Sequence, residues 1–422
     1  MTVTAARPLP SDNTPESGSG LPPGLLLLMS VATGLIVAGN YFAQPLLDVI
    51  RHDLGLSTGT AALIVTAAQA GYALGLILLL PLADLFERRR LAVTLFGATA
   101  VFLLVSGTAG SGVVLLAGTA LAAFTSVAAQ VLVTFAVALS DPERRGRVVG
   151  TVMSGLLIGS LLARTVAGLL SEFGGWRAVY WFGAAVLALV AVALWRTLPT
   201  LHTPVGMSYP ALLRSTAGLF RTQPVLRRRA TLGALSMASF TMFWTGVTFL
   251  LVGSGYQWSE ATIGLFGLVG IAGTAATPVA GRLADRGYVH HVAGVGAALL
   301  VVAWVALAAG GTSLFALIAG AIALTVGQQS LLNSNQNMLY ALAPELRNRL
   351  NSAFMTVFFL GGAAGSALTA VAWSWGGWIG VSAAGGALAT ATLLLWAAER
   401  VPARSTRPLR RRTRVPAAGP RP

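Results

Sequence analysis

An arginine stands inside an apolar run: residues 160 to 170 read SLLARTVAGLL, with Arg164 at the centre. A guanidinium in mid-bilayer costs about 2.5 to 3.5 kcal/mol on insertion scales, so such a residue normally faces water, a partner or a ligand. Two readings are open. Arg164 lines a polar pathway and meets an anionic or hydroxyl-rich solute, or its long stem snorkels to the nearer membrane surface, roughly 10 Å of helix rise away. A second candidate is a cluster of amides: Gln329, Asn333, Gln336 and Tyr340 recur at i, i+4, i+7 and i+11 and so share one helical face. Gln328, Asn335 and Asn337 stand beside them. Amides in hydrocarbon need partners, supplied by other helices or by a solute.

The elements that position these groups are membrane spans. Of 422 residues, 55% are hydrophobic and 10% charged, against roughly 25% charged in a soluble domain. The apolar runs are continuous and about 20 residues long, enough to cross a ~30 Å hydrocarbon core as helix. They predict twelve spans: 23–47, 59–84, 90–109, 112–139, 148–170 and 177–196, then 230–252, 261–281, 291–309, 313–341, 350–373 and 378–398. The expected fold is an all-α integral membrane protein with twelve transmembrane helices in two pseudo-symmetric six-helix bundles. The bundles cover 23–196 and 230–398, joined by a connector over 197–229. A disordered tail is expected over 1–22 and an Arg-rich tail over 399–422. The Pro/Ser/Gly-rich amino end is not a removable signal peptide. Residues 209–222 predict a short amphipathic surface helix.

The formal charge of +15 comes from arginine alone, with no lysine. Nearly all of it falls in the tails and on one set of loops, whereas the other set holds only Arg51 and Arg177. That is the positive-inside pattern, so both termini are expected in the cytoplasm and the Arg-rich tail signals topology and touches anionic lipid, not nucleic acid. Trp176, Trp375 and Trp378 at span ends fit interfacial anchors. Cysteine is absent, which excludes disulfides and thiolate metal sites.

The halves repeat each other. Pro142-Glu143-x-Arg145-x-Arg147 returns as Pro344-Glu345-x-Arg347-x-Arg349, Gly174-Gly175-Trp176 as Gly376-Gly377-Trp378, and Leu82-Ala83-Asp84 as Leu283-Ala284-Asp285, at nearly one offset. A duplicated six-span unit is the architecture of a carrier whose halves rock about a midplane site.

With these motifs the chain resembles the major facilitator superfamily over 23–398. The stretch Leu80 to Arg89 is similar to the family's signature after the second span, keeping the aspartate and a basic pair, and Gly281 to Tyr288 is similar to its second copy after the eighth. In the fifth span Gly150, Gly159 and the group Ala163-Arg164-Thr165-Val166-Ala167-Gly168 resemble a pattern of proton-coupled exporters, with Arg164 where proline is usual. The run Gly39 to Leu47 resembles a bacterial sugar or drug efflux subgroup.

The resemblance implies a cavity among the first, fourth, seventh and tenth spans, which adds Asn40, Gln44 and Gln130 to the amide face and to Arg164. Trp244 ranks below the amides. It implies a cytoplasmic gate in which Asp84, with Arg88 and Arg89, meets Arg347, Arg349 or the start of the eleventh span; Asp285 and Arg286 repeat it. The alternative is a loop carboxylate balancing Arg88 and Arg89. A monomer in a bacterial cytoplasmic membrane is the family expectation.

No lysine means no P-loop, and neither HExxH nor G-x-S-x-G occurs, so no enzyme, cofactor or metal is expected. No carboxylate lies near the midplane, which counts against an organic cation. Asp48, at the outer end of the first span, is the best available proton carrier. The sequence therefore predicts a secondary transporter of a small organic solute, working by alternating access as a proton-coupled exporter. Uptake symport or uniport is the alternative, and a receptor or scaffold the reading from another class.

Overall fold

The computed structural model describes residues 21–141, 143–201, 208–342 and 346–399, apart from the side chains of Ala284, Asp285 and Asn348. Both tails expected at the ends fall almost wholly outside the described residues. Among those described, ten helical runs are long and apolar enough to cross a membrane. Two of them, Arg145–Thr197 and Arg347–Glu399, are 53 residues each and break at Gly174-Gly175 and Gly376-Gly377. Each crosses twice, giving twelve spans. Gly175 and Gly377 take φ of 69° and 52°, a left-handed conformation that glycine adopts without penalty, so the repeated Gly-Gly pair is the hairpin between fifth and sixth spans and again between eleventh and twelfth.

The remaining spans are Pro23–Asp53 (first), Thr58–Asp84 (second), Arg88–Gly107 (third), Gly112–Ala138 (fourth), Pro224–Val252 (seventh), Glu260–Leu283 (eighth), Arg286–Gly311 (ninth) and Leu314–Tyr340 (tenth). The first bundle shares one hydrophobic core from Met29 to Leu198, and the second holds its own cores around Phe243 and Phe354. The surface helix forms as Tyr209–Thr222, with Leu212 and Leu219 buried.

Three expectations need correction. The seventh helix starts at Pro224, inside the expected connector, because proline suits the first turn and nothing in 224–229 breaks a helix; Arg229 is thereby carried into the bundle. Trp176 and Trp378 do not anchor at the interface. They are buried, their indole N–H groups donating to Asp53 and to the Leu307 carbonyl at 3.1 and 2.8 Å; only Trp375 of the three is exposed.

The bundles meet along two seams. At one, the second span lies against the eleventh: Ser366 Oγ donates to the Ala62 carbonyl at 2.9 Å and Ser352 Oγ to the Leu76 carbonyl at 3.1 Å, near opposite ends of the crossing. At the other, the fifth and eighth spans touch over part of their length. A Cβ on Gly264 would lie 2.6 Å from the Arg164 carbonyl and 3.1 Å from Gly168 Cα, so backbone meets backbone there only because both residues lack side chains. Toward the face that carries the termini, Gly146, Gly150 and Gly281 have nothing within 4 Å of an added Cβ. This seam is shut on the face away from the termini and parted on the terminal face.

Candidate functional site

The first span is helical over Pro23–Ala38, tightens into 3-10 turns at Gly39–Tyr41 and Gln44–Leu46, and resumes as helix at Leu47. Pro45 has no N–H to continue the ladder, so the chain bends where its polar side chains fall. Tyr41 and Gln44 project from this bend toward Arg164 of the fifth span. Arg164 Nε donates to Gln44 Oε1 at 2.5 Å and Nη1 to the Ser160 carbonyl, one turn back, at 3.2 Å. The guanidinium carbon lies 4.7 Å from the Tyr41 ring centroid and 4.3 Å from that of Trp244. Snorkelling is excluded: only 7% exposed, the side chain turns back along its helix, away from the nearer surface.

Trp244 belongs to the second bundle, so Arg164 joins the halves. Two hydroxyls do the same nearby, Thr248 Oγ1 donating to the Gln44 carbonyl at 2.8 Å and Thr165 Oγ1 to the Gly264 carbonyl at 2.9 Å. Between Gln44, Arg164, Trp244, Thr248 and Phe266 remains a cavity of about 10 Å³, too small for any solute beyond one water. The site is closed around its own side chains on the face away from the termini.

The other expected residues divide. Asn40 and Ser126 of the fourth span exchange hydrogen bonds at 3.0 and 3.2 Å. Gln130 stands beside Tyr72, whose ring meets Phe359 of the eleventh span edge-on at 4.6 Å. Gln336 and Tyr340 both donate to Asn351 Oδ1, at 3.1 and 2.9 Å. Gln329 and Asn333 are half-buried, and Asn333 Nδ2 has no partner. Two amides outside this face lie deeper: Asn335 is fully buried with neither side-chain atom partnered, and Gln328 reaches only Met237 Sδ, whereas Asn337 is exposed. Toward the termini a cavity of about 590 Å³ opens between Arg229, His290, Asn337, Tyr340 and Arg347.

Sequence reasoning ranked Trp244 low and passed over Tyr41, Tyr72, Phe359 and Asn351. Aromatic residues are common in spans, and no spacing rule tells which will face a cation in another helix.

The expected gate residues stand at two loops on the terminal face, Asp84, Arg88 and Arg89 at the one after the second span and Arg286 at the one after the eighth. Asp84 Oδ1 is 4.0 Å from Arg88 Nη2 in its own loop, while Arg347 Nε donates to the Tyr340 carbonyl at 2.9 Å. Asp84 thus takes the loop partner and not Arg347 or Arg349. Arg89 lies in the first turn of the third span, its N–H bonded to Glu87 Oε1 at 2.9 Å. Arg286 is exposed, and the Asp285 side chain lies outside the described residues. Asp48 pairs with Arg51 at 2.8 Å and His52 at 3.2 Å, on the face away from the termini.

Twelve spans in duplicated halves, with a polar centre shared between them, match one family over residues 29–274 and again over 229–420. The chain belongs to the Major Facilitator Superfamily. It is 48% identical over 376 residues to the uncharacterized transporter YgaY of Escherichia coli O157:H7, covering 89% of this chain and 95% of that protein. It is 30% identical over 288 residues to a chloramphenicol resistance protein of Streptomyces lividans, covering 67% and 72%. Among solved structures it is similar to a bacterial homologue of the human lysosomal transporter Spinster in an inward-facing, occupied conformation: TM-score 0.71, 16% identity, 90% and 96% covered. A multi-pass transporter of this superfamily acts on a small solute across a lipid bilayer.

Proposed function

We propose that this facilitator exports a small organic solute from a bacterial cytoplasm by alternating access, with both termini cytoplasmic. The arginine asymmetry between loop sets supports that orientation. The carrying observation is the Arg164 contact to Gln44 and Trp244: groups from both halves close around one another on the outer face while the fifth and eighth spans part on the inner one. Rocking the halves would break that contact and turn the polar centre outward. Export, and not uptake, is favoured by the resistance named for the Streptomyces relative and by the efflux-like run Gly39 to Leu47. Proton antiport, the coupling the family resemblance suggests, would fall to Asp48, whose partners Arg51 and His52 hold it at the outer surface.

Everted and right-side-out vesicles, each given chloramphenicol and its succinate ester, test the reading. Accumulation in everted vesicles only is expected for an exporter. Accumulation in right-side-out vesicles only would establish uptake, and movement of neither compound in either orientation would overturn the proposal.

A further inference from the structure

The polar centre carries an unbalanced positive charge. Arg164 forms no ion pair among the described residues; its neighbours are the Gln44 amide, the Ser160 carbonyl and two neutral rings. Its Nη2 makes no hydrogen bond to protein among the described residues, so its N–H donors are unused in this closed arrangement. Around it the polar lining is amide, hydroxyl and phenol, and the described carboxylates sit at span ends or in loops. A buried cation with only neutral partners is held at a solvation cost that an oxyanion would relieve, because a guanidinium N–H gives a charge-assisted hydrogen bond to a carboxylate or phosphate oxygen.

Building on the export reading but replacing proton antiport as its coupling, we infer that the solute is an organic anion, that Arg164 is its counter-charge, and that the membrane potential drives it outward without a bound proton. Loading neutralises the site: the anion bonds to the unused Nη2, and the Gln44 and Trp244 contacts loosen as the guanidinium turns to it. An inside-negative potential of about 100 mV holds a monoanion at a roughly 50-fold higher concentration outside than inside. Export of an anion therefore needs no carboxylate or histidine in mid-membrane, and among the described residues none sits there.

The test compares chloramphenicol, which is neutral, with its succinate ester, an anion, on purified full-length protein and in proteoliposomes. Wild type is expected to bind the ester at least about tenfold more tightly than the parent, read by thermal shift and titration. Arg164→Gln should weaken ester binding at least about thirtyfold and so abolish the preference for the ester over the parent, whereas Arg164→Lys, which keeps the charge, should retain part of the preference. Ester flux should follow an imposed potassium–valinomycin potential and ignore a pH gradient. Equal binding of both compounds, an unchanged preference in Arg164→Gln, or flux that follows pH and not potential overturns the inference. Transport of the parent alone would leave export standing and remove the anion; ester binding without flux in any orientation would do the reverse. A melting profile and membrane yield like wild type for the Gln variant separate charge loss from misfolding.

Discussion

The Arg164 guanidinium carbon lies 4.3 Å from the centroid of the Trp244 ring, and the two residues belong to different bundles. Arg164 also holds Gln44, whose carbonyl accepts from Thr248 of the seventh span, so one polar knot ties the first, fifth and seventh spans where the face away from the termini is shut. A buried cation–π contact contributes about 2 kcal/mol. Trp244→Leu should therefore shift the carrier toward its outward-open form, about thirtyfold at most. Because the chain has no cysteine, a single Cys introduced at Thr248 reports this: a maleimide added from outside should label it faster in the Leu background.

The closure of the fifth and eighth spans on the face away from the termini depends on missing side chains. An added Cβ at Gly168 would lie 2.3 Å from the Glu260 carbonyl, a distance real Cβ atoms do not adopt. Gly168→Val should prop the seam apart and reduce transport by tenfold or more with normal membrane yield, whereas Gly281→Ala, in open space, should be tolerated. Flux in proteoliposomes at matched protein density decides it.

The buried pair of Arg229 and Glu399 ties the start of the seventh span to the end of the twelfth, with the two side chains 5% and 10% exposed. Arg229 Nε and Nη1 have no other partner, so Glu399→Ala leaves a buried charge uncompensated, at about 3 to 5 kcal/mol. The melting temperature should fall sharply for Glu399→Ala and recover in the double variant Arg229→Met, Glu399→Leu, in which no charge is buried. A fall as large in the double variant would contradict this account.

Glu87 caps the third helix, its carboxylate accepting from the N–H groups of Arg89 and Arg90 at 2.9 Å each and from Leu201 at 3.3 Å. Burial raises the Glu87 pKa, and the backbone donors of Arg90, Arg89 and Leu201 more than offset it, leaving the carboxyl below its ordinary range. A depressed folded pKa gives stability that is present above the unfolded value, near 4.3, and is lost as pH falls through the folded one. Glu87→Gln should melt lower than wild type at neutral pH, by the equivalent of about 1 kcal/mol, and the difference should close as pH drops below about 4. A pH-independent difference would mean that charge plays no part in the cap.

The sequence alone determined that the chain spans a membrane, roughly where, and that it does so in repeated halves. Hydrocarbon length and backbone satisfaction leave few alternatives to apolar helices of this size, and Gly-Gly-Trp marked both tight hairpins because only glycine takes the turn's positive φ readily. Arg164 was legible as an exception for the same reason, since charge in hydrocarbon is costly wherever the helix is later placed. Its partners were not legible. Tyr41, Gln44 and Trp244 lie 123, 120 and 80 residues or so away along the chain, and an aromatic side chain in a span looks the same whether it meets lipid, core or a guanidinium. Which face of the tenth span is wet, which seam is parted and which arginine enters the bundle depend on helix rotation and on close approach between distant backbones. Periodicity leaves those quantities free, and only tertiary packing fixes them.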